Sequence, residues 1–153
     1  MKKFELTAEF VTNVFGKKLF RIKALVAFGD VEKGELGGFI EKEDNLSHDG
    51  NAWVSGTAQV SGNAQVSGNA RVSGTARVSG DADYAVVAGF GRYFRTTTFF
   101  RCKDKILRVQ CGCFYGDLAQ FREIVKKTHG DSKYAKEYLA IADLMELHFS
   151  DEC

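Results

Sequence analysis

The sequence predicts a mainly β chain with a helical end: a short parallel coil of strands, an N-terminal β-hairpin before it and a ββαα module after it. Three observations predict this. Residues 51–84 repeat every six residues without a slip, as NAWVSG TAQVSG NAQVSG NARVSG TARVSG DADY. Before them, FELTAEFVTNVF, Gly16 and the alternating KKLFRIKAL have the form of two strands about a turn. After them, TTTFFRC and KILRVQCGC read as strands, and the remainder has helical spacing. The expected boundaries are 1–30 for the hairpin cap, 31–90 for the repeat coil and 91–153 for the module.

The repeat is the organising element. Val54, Val60, Val66, Val72 and Val78 recur, Tyr84 takes the next slot, and an alanine lies two residues before each of them. Residues two apart on a strand share a face, so valine and alanine together fill a narrow interior. Ser-Gly followed by Asn, Thr or Asp forms the corner, where glycine accepts φ > 0 and short polar side chains bond nearby backbone. A six-residue unit cannot bury its own apolar face and must stack on its neighbours. Three sides close a triangular turn of roughly eighteen residues. Eighteen-residue stacking sets Trp53 beside Arg71, Gln59 beside Arg77 and Gln65 beside Asp83, all outward, with Trp53 over Arg71 as a cation–π pair.

The flanks follow in order. In the second strand of the hairpin, Leu19, Arg21 and Lys23 face one way and Phe20, Ile22 and Ala24 the other. Ile40 and Leu46 are six apart, so the coil begins before the clean repeats, near Val31 to Leu36. Leu46 to Val54 is eight, which makes His48 and Asp49 a two-residue corner insertion. In the module, Asp117 with Gln120 three residues on caps a helix over 118–128 whose Leu118, Phe121 and Val125 share a face. Gly130 ends that helix. Asp131 or Ser132 caps a second, with Tyr134, Tyr138, Ile141, Met145 and His148 at helical spacing.

The repeats of residues 51–84 resemble the hexapeptide-repeat family, whose fold is a left-handed parallel β-helix. The left hand is implied by that resemblance alone, since strand physics favours right-handed crossovers. The stretch from LFRIKAL through ELGGFIEKEDNLSHDGNAWVSG is more specific. It resembles small hexapeptide proteins carried by phages and prophages, in which a similar "RI-x-AL…GDLGGWIE…NL" entry leads into short Gly-Asn-Ala repeats. The resemblance covers most of the chain, and Phe39 stands where that group often has Trp. It implies an origin and a fold, and it brings no settled chemistry. Short coils of the wider family commonly associate in threes, so the resemblance implies a homotrimer.

Composition narrows the classes. The net charge is +1 and hydrophobic residues make up 44% of the chain, ordinary for a globular protein and far from a polybasic or acidic tail. There is no proline, as suits a backbone whose N–H groups are mostly in ladders. MKKFELTAEF has no apolar run after its lysines, and no stretch approaches a membrane span. Cys102, Cys111, Cys113 and Cys153 have no secretory setting. A cytoplasmic protein with reduced thiols and no membrane contact is expected, in the host cell if phage-encoded.

Four kinds of site are candidates. His48, at the corner insertion, is the histidine that an acyltransferase of the family would use as general base; the competing account is a solvated corner residue. Cys111 and Cys113 face one way on a strand, near Cys102 and His129, as zinc ligands would. Against that, the C-x-C spacing without a second close pair reads as buried core thiols. Residues 28–51 carry a net −5, including Glu41, Glu43 and Asp44, whereas residues 92–108 carry a net +5, including Arg92, Arg95, Arg101, Lys103 and Lys105, interleaved with aromatics. With Trp53, Arg71 and Arg77 on the coil, these are the candidate partner-binding residues. Basic residues with aromatics fit nucleic acid, or else the wet and inner faces of a strand. The acidic end suits a basic groove on another molecule.

Together these readings favour a non-enzymatic phage or prophage accessory protein that binds and blocks or redirects a host protein or ribonucleoprotein, as an anti-CRISPR-like counter-defence inhibitor does. The alternatives are an acyltransferase and an oligomeric scaffold that sequesters a small ligand such as a nucleotide. No cofactor is expected.

Overall fold

A computed structural model of the chain describes residues 2–79, 83–90, 95–111 and 114–150. Strands β1 (Phe4–Thr12) and β2 (Lys18–Ala24) pair antiparallel. At their tip the Asn13 side chain accepts from Phe15 N at 2.9 Å and Lys17 N at 3.0 Å, and Gly16 turns the chain with φ +79°. β2 also pairs antiparallel with β3 (Leu36–Ile40). β3 then runs parallel to β5 (Gln59–Val60), and β5 parallel to β7 (Arg77–Val78), which gives a five-stranded mixed sheet in the order β1-β2-β3-β5-β7. β4 (Trp53–Val54) pairs parallel with β6 (Arg71–Val72), and Leu46 bridges Val66.

The register follows from the repeat. Trp53 pairs with Arg71 and Gln59 with Arg77, eighteen residues apart, whereas Phe39 pairs with Gln59 and Leu46 with Val66, twenty apart. The two extra residues lie between Leu46 and Trp53, where His48 and Asp49 lengthen the corner. From Ala52 through Val78, the valines of the repeat and the alanine two residues before each are at most 1% exposed.

The expected fold class does not hold. The chain is mixed α/β rather than a left-handed parallel β-helix with caps: one mixed five-stranded sheet, one antiparallel four-stranded sheet, a two-stranded parallel pair and two helices. The parallel strands β4 to β7 are two residues each, so the repeat alone supplies little ladder. The longer strands pair antiparallel, and the five-stranded sheet starts from the N-terminal hairpin instead of being capped by it.

The second sheet has the order β11-β10-β9-β8, all antiparallel: β8 (Tyr84–Phe90), β9 (Arg95–Arg101), β10 (Leu107–Cys111) and β11 (Phe114–Asp117). The module therefore has four strands before its helices, where the sequence suggests two. β8 and β11 escape notice because AVVAGF does not alternate and FYGD is short. Asp117 caps α1 (Leu118–His129) as expected: its carboxylate accepts from Gln120 N at 2.8 Å while Gln120 Oε1 accepts from Asp117 N at 2.9 Å. Ser132 caps α2 (Lys133–His148). Phe121, Val125, Tyr138, Ile141, Ala142 and Met145 close over Phe99 and Val109 as one core.

β9 joins the two sheets. Phe100 and Cys102 belong to the core of the repeat, Cys102 bridges Ala76, and Lys103 N donates to Thr75 O at 2.9 Å. This contact carries the β9–β10 turn to the side of β7, next to the tip of the first hairpin.

Candidate functional site

The residues singled out in the sequence fall into four environments. His48 is half-buried and stacks on Phe4, with ring centroids 4.2 Å apart and planes at 11°. Its Nδ1 lies 3.0 Å from Lys3 N and its Nε2 lies 3.1 Å from Glu43 Oε1. A backbone N–H can only donate, so Nδ1 is the acceptor and Nε2 carries the proton given to Glu43. Neither nitrogen has a lone pair free to take a substrate proton. Glu43 also pairs with Lys2 at 3.1 Å, and that contact, with His48, holds its carboxyl below the usual range. Glu41 accepts from Gly62 N at 2.8 Å and pairs with Lys17 at 3.5 Å; the Gly62 N–H chiefly lowers its pKa. Asp44 lines an open cleft of about 790 Å³ beside His48. Two of the three acidic candidates thus serve the protein's own backbone and lysines.

Trp53 is not a surface residue. It is 1% exposed, with Phe28 edge-on at 5.3 Å, so the expected outward pair with Arg71 is replaced by burial. Gly37 makes this possible: a Cβ there would lie 2.5 Å from Val54 O, 2.6 Å from Ile22 Cγ1 and 2.7 Å from Trp53 Cζ2. The N-terminal segments cover the outer face of the repeat at this point, which periodicity within the repeat cannot show. Arg71 pairs with Asp30 at 2.5 Å instead.

The described thiols, Cys102 and Cys111, each sit against a protein hydroxyl. Thr97 Oγ1 donates to Cys111 Sγ at 3.2 Å, Cys102 is 3% exposed and 4.0 Å from Tyr115 Oη, and His129 stacks on Tyr138. Among the described residues, no three His, Cys, Asp or Glu side chains are grouped to hold a metal. Cys113, Cys153 and Arg92 lie outside the described residues, as does the side chain of Arg95.

The fourth environment brings four predicted residues together. Arg77, Arg101, Lys103 and Lys105 line a cleft of about 590 Å³ whose other wall is the first hairpin tip, Asn13, Val14 and Phe15. Val14 is 93% exposed and Phe15 80%. Hairpin tips usually carry polar residues, so Val-Phe before Gly16 is the sequence signal that points to this wall. Among the described residues, the acidic groups nearby are already engaged. Asp104 grips Arg108 through both oxygens at 2.8 and 2.9 Å, and Arg108 lowers its pKa to about 2. Asp83 accepts from Ser79 N and Oγ and lies 3.6 Å from Arg101, which also donates to Phe149 O at 2.9 Å. Arg77 donates to the carbonyls of Thr57, Thr75 and Ala76, and burial lowers its pKa from the ordinary value. Arg77, Lys103 and Lys105 therefore have no carboxylate partner among the described residues. A strongly positive wall faces an exposed aromatic one.

No helix among the described residues is long and apolar enough to cross a membrane. No protein-family model matches the chain, and no curated protein matches it.

Proposed function

We propose that the chain is a non-enzymatic binding protein that occupies a host macromolecule through the cleft between the β1–β2 tip and the β9–β10 turn. The observation that carries this reading is the pairing of Val14 and Phe15, exposed at 93% and 80%, with Arg77, Lys103 and Lys105, which lack carboxylate partners among the described residues. An exposed aliphatic and an exposed aromatic side chain beside cations without carboxylate partners make a hot spot for association, whereas a solvated loop would be polar. The ring of His48 weighs against acyl transfer, because both nitrogens are engaged by Lys3 and Glu43. The phage-like entry sequence supplies the setting: a counter-defence accessory, acting as a homotrimer in the host cytoplasm, that blocks or redirects a protein or ribonucleoprotein.

The test uses affinity-tagged full chain as bait in extract of a host cell, beside Val14→Ser/Phe15→Ser. A discrete partner retained by the wild type and released by the double variant supports the reading. Acetyl transfer from acetyl-CoA that disappears in His48→Ala overturns it in favour of an enzyme.

A further inference from the structure

We infer that the cleft takes a single strand of nucleic acid, its phosphates on Arg77, Lys103 and Lys105 and a base stacked on Phe15; this rests on the binding reading above and names its partner class. The two walls differ in kind. One carries three cations whose acidic neighbours among the described residues are already engaged: Asp104 by Arg108, and Asp83 by Ser79 and Arg101. The other holds a phenyl ring with 80% of its surface open, on a turn ordered by two hydrogen bonds to the Asn13 side chain. A nucleic-acid strand presents phosphates to one side and bases to the other, so it matches such a trough wall for wall. An acidic peptide matches the cations but offers no flat face to the ring. In a duplex the neighbouring base pairs cover the faces that stacking needs, so a single strand is favoured. The ring and the turn lysines come from hairpins some ninety residues apart in sequence, brought side by side because Cys102 bridges Ala76 in the coil.

The cation count gives a quantitative signature. Three neutralised phosphates give a slope of log affinity against log salt of about −2, since each contributes about −0.7 on a single strand. Affinity for a fluorescein-labelled thymidine 20-mer then falls about 20-fold between 50 and 200 mM salt. Lys103→Gln/Lys105→Gln flattens the slope to about −0.7. Phe15→Ala weakens binding roughly 5- to 150-fold and leaves the slope unchanged. These side chains are exposed, and unchanged Trp53 emission shows that each variant is folded.

Fluorescence anisotropy on the full chain, with the matching duplex and polyglutamate as competitors, decides. Single-strand binding with both signatures supports the inference. Absence of oligonucleotide binding at 50 mM salt, binding indifferent to both variants, or preference for polyglutamate overturns it. If the oligonucleotide fails while a host partner is still lost with Val14→Ser/Phe15→Ser, the strand is wrong and the binding reading stands. If no partner is lost either, both fall.

Discussion

Asn45 is fully buried in the short 3-10 turn Glu43–Asn45 that leads into the repeat. Its Nδ2 donates to Ala64 O at 2.9 Å and Gly62 O at 3.2 Å, and its Oδ1 accepts from Lys42 N at 2.9 Å. Asn45→Ala removes three hydrogen bonds at about 1 kcal/mol each and strands buried polar groups, so the loss is at least about 3 kcal/mol. That is a large share of the roughly 5–15 kcal/mol that holds a domain folded. Asn45→Asp is the sharper test. It keeps shape and the Lys42 contact but turns two donors into an acceptor facing two carbonyl oxygens, so it costs more than alanine at neutral pH. Those carbonyls disfavour the carboxylate and raise its folded pKa above the unfolded value near 3.9. Between these two values the folded state holds a proton the unfolded chain lacks, so the variant loses about 1.4 kcal/mol per unit as pH rises. As pH falls, its deficit against wild type narrows, because the protonated acid can again donate. Urea unfolding from pH 4 to 7, followed by Trp53 emission, measures this. A deficit under 1 kcal/mol at pH 7, or one that ignores pH, would refute the assignment of Asn45 as the polar clamp between these segments.

The other predictions concern packing and charge. Gly37→Ala forces a methyl against Val54 O, Ile22 and Trp53 and costs about 1–3 kcal/mol, read as a lower urea midpoint. The single tryptophan emits at short wavelength and resists iodide quenching until unfolding, since it is 1% exposed; ready quenching in the native state would place it outside the core. Burial lowers Lys3 to about 8, with Nζ donating to Ala52 O at 2.7 Å. From pH 8 to 10.5 the unfolded chain keeps a proton the folded state has released, so wild type gains stability relative to Lys3→Met as pH rises, by up to about 1.4 kcal/mol per unit. Asp117→Ala loses the α1 cap and about 0.5–2 kcal/mol, seen as a lowered thermal midpoint.

Local chemistry was legible where neighbours in sequence are neighbours in space. The six-residue period marks the inward valines and alanines, Leu46 to Val54 marks the lengthened corner, and Asp117 with Gln120 marks the start of α1. The basic candidates Arg77, Arg101, Lys103 and Lys105 are named by charge alone, and they do meet. The hairpin wall of their cleft is not, because Val14 and Phe15 read as strand residues until the turn places them outside the sheet.

The sequence by itself determined the repeat interior, the first hairpin and the helix caps, because periodicity and turn chemistry act within a few residues. Only the tertiary structure decided the rest. Antiparallel pairing of β2 with β3 made the long sheet mixed where a parallel β-helix was expected. Packing of the N-terminal segments drew Trp53 from the surface into the core. The Ala76–Cys102 bridge set Lys103 and Lys105 beside Phe15. These are contacts between segments far apart along the chain. They depend on which exposed edge or apolar face finds a partner, and no single segment's pattern records that choice.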